Sequence, residues 1–282
     1  MKKIIISLLM ILVVISICSC TSNNTVDDTV MEISAIELDA WGLEEGRTFS
    51  VVIDNDGLYH VDINGREIVV QIEKDYNLEN AKSNITECDS EIKEIARTSK
   101  EKVVNYINDS KILEDKEELV EYINNIPVLM ADFANSEVAE YDLESDSIFI
   151  NNENRVDVCE WLIVHELVYA LSQKTNGTIE KGRYQDDLFN EVLTDIITAG
   201  IEPNGIEVYE SEYFAYHGYV YLYLGCVGID GIEAYFYGYD EILEKIPEAE
   251  LDIFVESLKY VNDSEDAVII VCNCINDWGL EK

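Results

Sequence analysis

The chain has 282 residues, 58 acidic and 19 basic side chains, and a formal net charge of −39. That balance excludes a nucleic-acid binder, which needs a basic footprint, and favours cations and basic partners around a solvated acidic surface. Hydrophobic residues make up 48% of the chain, enough to bury a substantial core in one large domain or in a small and a medium one.

Lys2 and Lys3 precede an apolar run from Ile4 to Ile17 that only Ser7 and Ser16 interrupt. A charged start followed by a run too short to span a bilayer comfortably is the pattern of a secretory signal. The run closes on Ile17-Cys18-Ser19-Cys20, similar to the cleavage site of bacterial lipoproteins, where a small residue stands before the acylated cysteine. Ser19 suits that position and Ile17 does not, which makes Cys20 the lipidation candidate. The expected organisation is a signal peptide over 1–19, a tether over 20–31, a β-meander over 32–75 and a larger domain over 76–282. The lipid-anchored protein would sit on the extracellular face of the cell membrane. Beyond Cys20 the cysteines are Cys88, Cys159, Cys226, Cys272 and Cys274, an odd number at scattered spacing that makes no disulfide framework.

Three short runs rich in Val, Ile and Tyr predict strands over Phe49–Asp54, Leu58–Ile63 and Glu67–Glu73. Asn55-Asp56-Gly57 and Asn64-Gly65 between them have the chemistry of tight hairpin turns. A further strand is expected over Ile36–Trp41, and His60 falls in the middle strand as a half-exposed structural histidine. From Asn77 to Asn125 the apolar residues recur at helical spacing, with the intervening charges on a solvated face, and Pro127 ends the region. Val138–Asp142 and Ser147–Asn151 alternate like the arms of a hairpin that leads into the next segment.

That segment, Cys159 to Lys174, reads CEWLIVHELVYALSQK, with Trp161, Leu162, Val164, Leu167, Val168 and Leu171 at spacings of three and four. The pattern predicts a largely buried helix that carries His165 and Glu166. A second apolar helix is expected over Leu188–Ala199, with Asn190, Glu191 and Asp195 on it. On a helix, residues i and i+4 share a face, which is how an H-E-x-x-H segment brings two imidazoles to one zinc ion with a glutamate beside the metal-bound water. Here His165-Glu166-Leu167-Val168-Tyr169, continuing as Ala170-Leu171-Ser172, resembles the HELxHALS form of the zincin metallopeptidases, with tyrosine in place of the second histidine. Asn190-Glu191-Val192-Leu193-Thr194-Asp195 resembles the N-E-x-x-x-D helix of the thermolysin-like gluzincins.

The resemblance covers roughly Ser147 to Ala199. It implies a mostly helical zincin-like domain, and with the N-terminal antiparallel β-meander read above the expected class is α+β. It also implies His165 and Glu191 as zinc ligands, Asp195 and Asn190 as residues behind them, and Glu166 as the catalytic base of peptide hydrolysis. Tyr169 departs from the pattern. A phenol must lose a proton whose ordinary pKa is about 10 before it binds metal well, and two ligands are fewer than the usual three. Three readings follow: a zincin-fold module without an ordinary zinc site, a modified site completed by His217 with Tyr169 as a weak ligand or oxyanion donor, or a coincidence of two helices. His217 lies in a tyrosine-rich helix over Tyr213–Leu224. The later Gly231–Gly238 stretch, GIEAYFYG, resembles the AYFxG segment of secreted zincin-like lipoproteins, and closing helices are expected over Leu251–Val261 and Ala267–Trp278. The partner class is a peptide or protein, as substrate or ligand. The alternative is a non-catalytic surface lipoprotein that holds a peptide or a cell-envelope component.

Overall fold

The computed structural model describes residues 49–54, 57–71, 82–134, 137–155, 158–176, 188–203, 213–224, 228–238 and 246–275. The lipidation site at Cys20, the signal, the tether, the expected strand over Ile36–Trp41, Cys226 and the end of the last expected helix lie outside them. The strands are β1 (Phe49–Ile53), β2 (Tyr59–Ile63), β3 (Arg66–Val70), β4 (Ser83–Glu87), β5 (Val128–Asp132), β6 (Ala139–Asp142) and β7 (Ser147–Asn151). The helices are α1 (Ser90–Asp109), α2 (Lys116–Asn125), α3 (Glu160–Asn176), α4 (Leu188–Ile201), α5 (Phe214–Tyr223), α6 (Gly228–Phe236), α7 (Glu248–Leu258) and α8 (Glu265–Cys274). This is an α+β protein, and its N-terminal strands form an antiparallel sheet in the order β1-β2-β3. No helix among the described residues is long and apolar enough to cross a membrane.

The chain divides into two compact units. The first joins the β-meander to α5, the start of α6, α7 and α8, so the C-terminal helices return to the meander rather than extending the central domain. Gly57 and Gly65 both hold φ of +80°, the left-handed conformation the two tight turns require and that side chains with a Cβ rarely adopt. Val61 is fully buried on the inner face of the sheet, and the Tyr59 hydroxyl donates to Asp252 on α7 at 2.6 Å. Tyr223 at the end of α5 stacks on Phe254 of α7 with ring centroids 3.8 Å apart, both rings out of solvent.

The second unit holds a four-stranded sheet in the order β4-β5-β7-β6, with α1 to α4 packed around it. β5 and β7 run parallel, while β4 and β6 lie antiparallel on the two edges. The hairpin expected over Val138–Asp142 and Ser147–Asn151 is present as β6 and β7. Residues 83–87 correct the helical reading of 77–125, since Ser83–Glu87 is a fully exposed edge strand bulged near Asn84. A strand exposed on both faces carries no apolar period, and the neighbouring charges resemble a solvated helix face. Asp89 then starts α1, its side chain accepting from the backbone N–H groups of Glu91 and Ile92 at 2.9 and 3.1 Å.

α3 is buried on nearly all sides, with Ile163, Val164, Leu167, Val168, Ala170 and Leu171 fully out of solvent. Such a helix has no room for an unpaired polar group, which makes its polar residues informative. Lys102 on α1 reaches Glu160 at the start of α3 and Glu202 just past α4, tying three helices at one point.

The Tyr223–Phe254 stack gives a direct test of the first unit. Phe254→Ala removes a fully buried ring and is expected to cost about 3–5 kcal/mol, read as a lower midpoint in urea unfolding. A loss below about 1 kcal/mol would show that the two rings do not hold α5 to α7.

Candidate metal-type centre on helices α3 and α4

His165 and Glu166 sit mid-way along α3, and Glu191 and Asp195 lie one turn apart on α4. Both helices owe their placement to their apolar residues, since Phe189, Val192, Leu193, Ile196 and Ile197 bury α4 as completely as α3. The helix pairing brings the imidazole of His165 between two carboxylates. Its Nδ1 lies 2.9 Å from Oδ1 of Asp195, and its Nε2 lies 3.2 Å from Oε2 of Glu191. Asp195 is 1% exposed, His165 8% and Glu166 7%. Asn190 precedes Glu191 on α4, where its carbonyl accepts from the Thr194 hydroxyl at 2.8 Å.

An ionised carboxylate only accepts hydrogen bonds, so an imidazole facing one at each nitrogen carries a hydrogen on both. Burial works against that charge, but hydrogen bonds to Asp195 and Glu191 outweigh it and hold the His165 pKa well above its ordinary value. Glu166 points the other way. Its Oε2 accepts from the backbone N–H of Tyr141 on the edge strand β6 at 2.8 Å. Burial, with Glu191 and Glu140 adding to it against the opposing pull of His165, pushes the Glu166 carboxyl up to about 7. Tyr141 is the participant that sequence reasoning missed, because a backbone donor leaves no residue-type signature. The only signal was the hairpin leading into the helix.

Tyr169 lies one turn after His165, with ring centroids 5.3 Å apart in an edge-on arrangement. Burial, then the charge of Glu191 and a hydrogen bond to it, hold the phenol well above its ordinary pKa. In this arrangement the Tyr169 hydroxyl keeps its proton and donates to Glu191. His217, the other histidine considered for the site, is buried on α5 and belongs to the first unit. His60 is half-exposed in the meander, between Asp54 at 3.1 Å and Glu67 at 2.9 Å.

The donor set can be tested against zinc. Two ligands on a tetrahedral zinc with bonds of about 2.0–2.2 Å stand about 3.3–3.5 Å apart, and His165 Nε2 and Glu191 Oε2 are close to that spacing. The third position is held by a protonated phenol, and no group of three or more His, Cys, Asp or Glu among the described residues could hold a metal ion. The residues present do not fit an ordinary catalytic zinc centre.

No protein-family model matches the chain, no curated protein matches it, and no solved structure matches it.

The raised Glu166 pKa sets a pH dependence. The folded state keeps a proton on Glu166 that the unfolded chain releases near pH 4.5, so this group removes stability as pH rises from about 4.5 through 7. Glu166→Gln cannot titrate, and its amide oxygen still accepts from Tyr141. Its stability relative to the wild type is expected to rise by about 3 kcal/mol between pH 4.5 and pH 8 in urea titrations, as an upper bound. A difference that stays flat across that range would mean that Glu166 is not buried as described.

Proposed function

We propose that this protein is a lipid-anchored extracellular protein of gluzincin-like metallopeptidase ancestry whose ordinary zinc chemistry has been lost at Tyr169. The observation that carries this reading is the imidazole of His165 held between Glu191 and Asp195. It is the pairing of an H-E segment with an N-E-x-x-x-D segment, with a phenol donating to Glu191 where a third metal donor would have to stand. In this reading the two helices keep the arrangement of a metallopeptidase core, and a shared proton does the work of charge balance between His165 and Glu191. The lipid anchor at Cys20 rests on the sequence of the first twenty residues.

The partner class that suits this arrangement is an extended peptide. β6 is an edge strand, antiparallel to β7, and it lies against the helix that carries Glu166. Edge strands take extended chains by main-chain hydrogen bonding, with specificity from alternate side chains. A protein of this kind holds a peptide without cleaving it.

Metal analysis separates this reading from a working peptidase. After dialysis against zinc-containing and then metal-free buffer, the wild type is expected to retain no stoichiometric zinc and to leave casein intact. Tyr169→His is expected to retain one zinc per chain, with affinity raised by at least about 100-fold, because it supplies the third ligand. One zinc in the wild type, lost in Glu191→Ala, would establish a functional metal centre instead. A Tyr169→His protein that gains no zinc would end the proposed metallopeptidase ancestry.

A further inference from the structure

A second site stands apart from the histidine centre and shares no residue with it. A half-open cleft of about 370 Å³ lies between the start of α1, the end of α2 and the adjoining ends of β4 and β5. Its volume is in the range of small-molecule sites. Lys93, Arg97 and Lys100 line it from successive turns of α1, and Cys88, Ala96 and Val128 form its apolar part.

The three cations are not equivalent. Arg97 is held by Glu94 and Glu101 on its own helix, and Lys93 pairs with Glu87 at 3.0 Å in an exposed contact. Lys100 is different. Its Nζ donates to the carbonyls of Asn124 at 3.1 Å and Ile126 at 2.6 Å, at the end of α2, and no carboxylate among the described residues pairs with it. An ammonium carries three donors, so one remains for a ligand. Half-buried and facing only neutral oxygens, Lys100 is a positive charge without a counter-ion in a protein that carries three acids for every base. The overall negative charge does not cancel this at contact range, because distant charges are screened beyond about 8–10 Å.

The lining also narrows the ligand. The Cys88–Ala96–Val128 wall favours a ligand with a hydrocarbon tail over a compact, fully hydrated anion such as phosphate. The thiol of Cys88 is pushed up to about 11 by burial and donates to the Val128 carbonyl at 3.3 Å, so it is a neutral apolar wall and not a competing anion. We propose that this cleft is a binding site for a small monocarboxylate, with the carboxylate on Lys100 and the tail against Cys88, Ala96 and Val128.

The test uses the full chain with hexanoate, hexylammonium and inorganic phosphate as probes, followed by NMR of the backbone amides and of the Ala96 and Val128 methyl groups. Hexanoate is expected to bind one per chain with a dissociation constant on the order of 1 mM. It should shift the signals of Lys93 to Lys100 and Asn124 to Val128, while hexylammonium shifts nothing and phosphate binds at least about tenfold more weakly. Lys100→Met and Ala96→Leu, the first removing the charge and the second filling the cleft, should each weaken hexanoate at least about tenfold. Because Lys100 also caps α2, each variant is accepted only with an unchanged amide spectrum outside the site, and the wild-type probes decide the matter if neither variant folds. Hexanoate that fails to saturate, shifts centred elsewhere, equal binding of hexylammonium, or phosphate binding tighter than hexanoate would each overturn the proposal.

Discussion

The second unit depends on a positive imidazole enclosed by carboxylates in an otherwise apolar helix pair. Moving an ion out of water costs several kcal/mol, and only close pairing with good hydrogen bonds offsets it. His165 meets that condition on both sides, through Asp195 and Glu191. Its environment also fixes its orientation, since turning the ring would break the 2.9 Å hydrogen bond to Asp195, which is 1% exposed. The helices α3 and α4 are held in register by this contact as well as by their leucines and isoleucines.

On the proposed reading, a metal and a proton would compete for this spot. Nε2 of His165 binds a metal only through its lone pair, and the nearby carboxylates stabilise a hydrogen there. The raised pKa of His165 and the phenol donating to Glu191 both favour the protonated arrangement. A histidine at position 169 would add a neutral donor and remove a hydrogen bond from Glu191, tilting the balance toward metal. On that reading the difference between the two states resides in one side chain.

The positions of α3, α4 and the β6–β7 hairpin were legible because long apolar periodicity and turn chemistry act locally. The meeting of His165, Glu191 and Asp195 is legible only through the resemblance of the H-E and N-E-x-x-x-D segments to the gluzincins, since periodicity within each helix does not say which helices pair. The strand β4 was not legible. Its five residues are exposed on both faces, so no apolar alternation marks it, and its pairing with β5 is a tertiary choice. β5 was hidden for the opposite reason, since VLMAD is a short apolar run without alternation, as expected of a strand paired in parallel on one side. The return of the C-terminal helices to the meander was equally out of reach, because it rests on long-range contacts such as Tyr59 with Asp252. The partner of Glu166 is a backbone N–H, which every residue but proline possesses.

The scarcity of cations gives the remaining surface its logic. With three acids for every base, a lysine or arginine that sits between two segments can neutralise and join them, and most of the described ones do so. Lys102 joins Glu160 to Glu202, Lys82 joins β4 to Glu140 and Asp142 of β6, Arg66 reaches Asp266, and Lys174 reaches Glu118. Each of these bridges has a carboxylate at its far end, so its field is spent locally. Lys100 has none, because its ammonium is turned into the end of α2, where the last carbonyls of the helix carry only partial negative charge. A full charge met by partial ones is not neutralised by them, and the cleft that Lys100 lines is where the proposed carboxylate would complete the pairing.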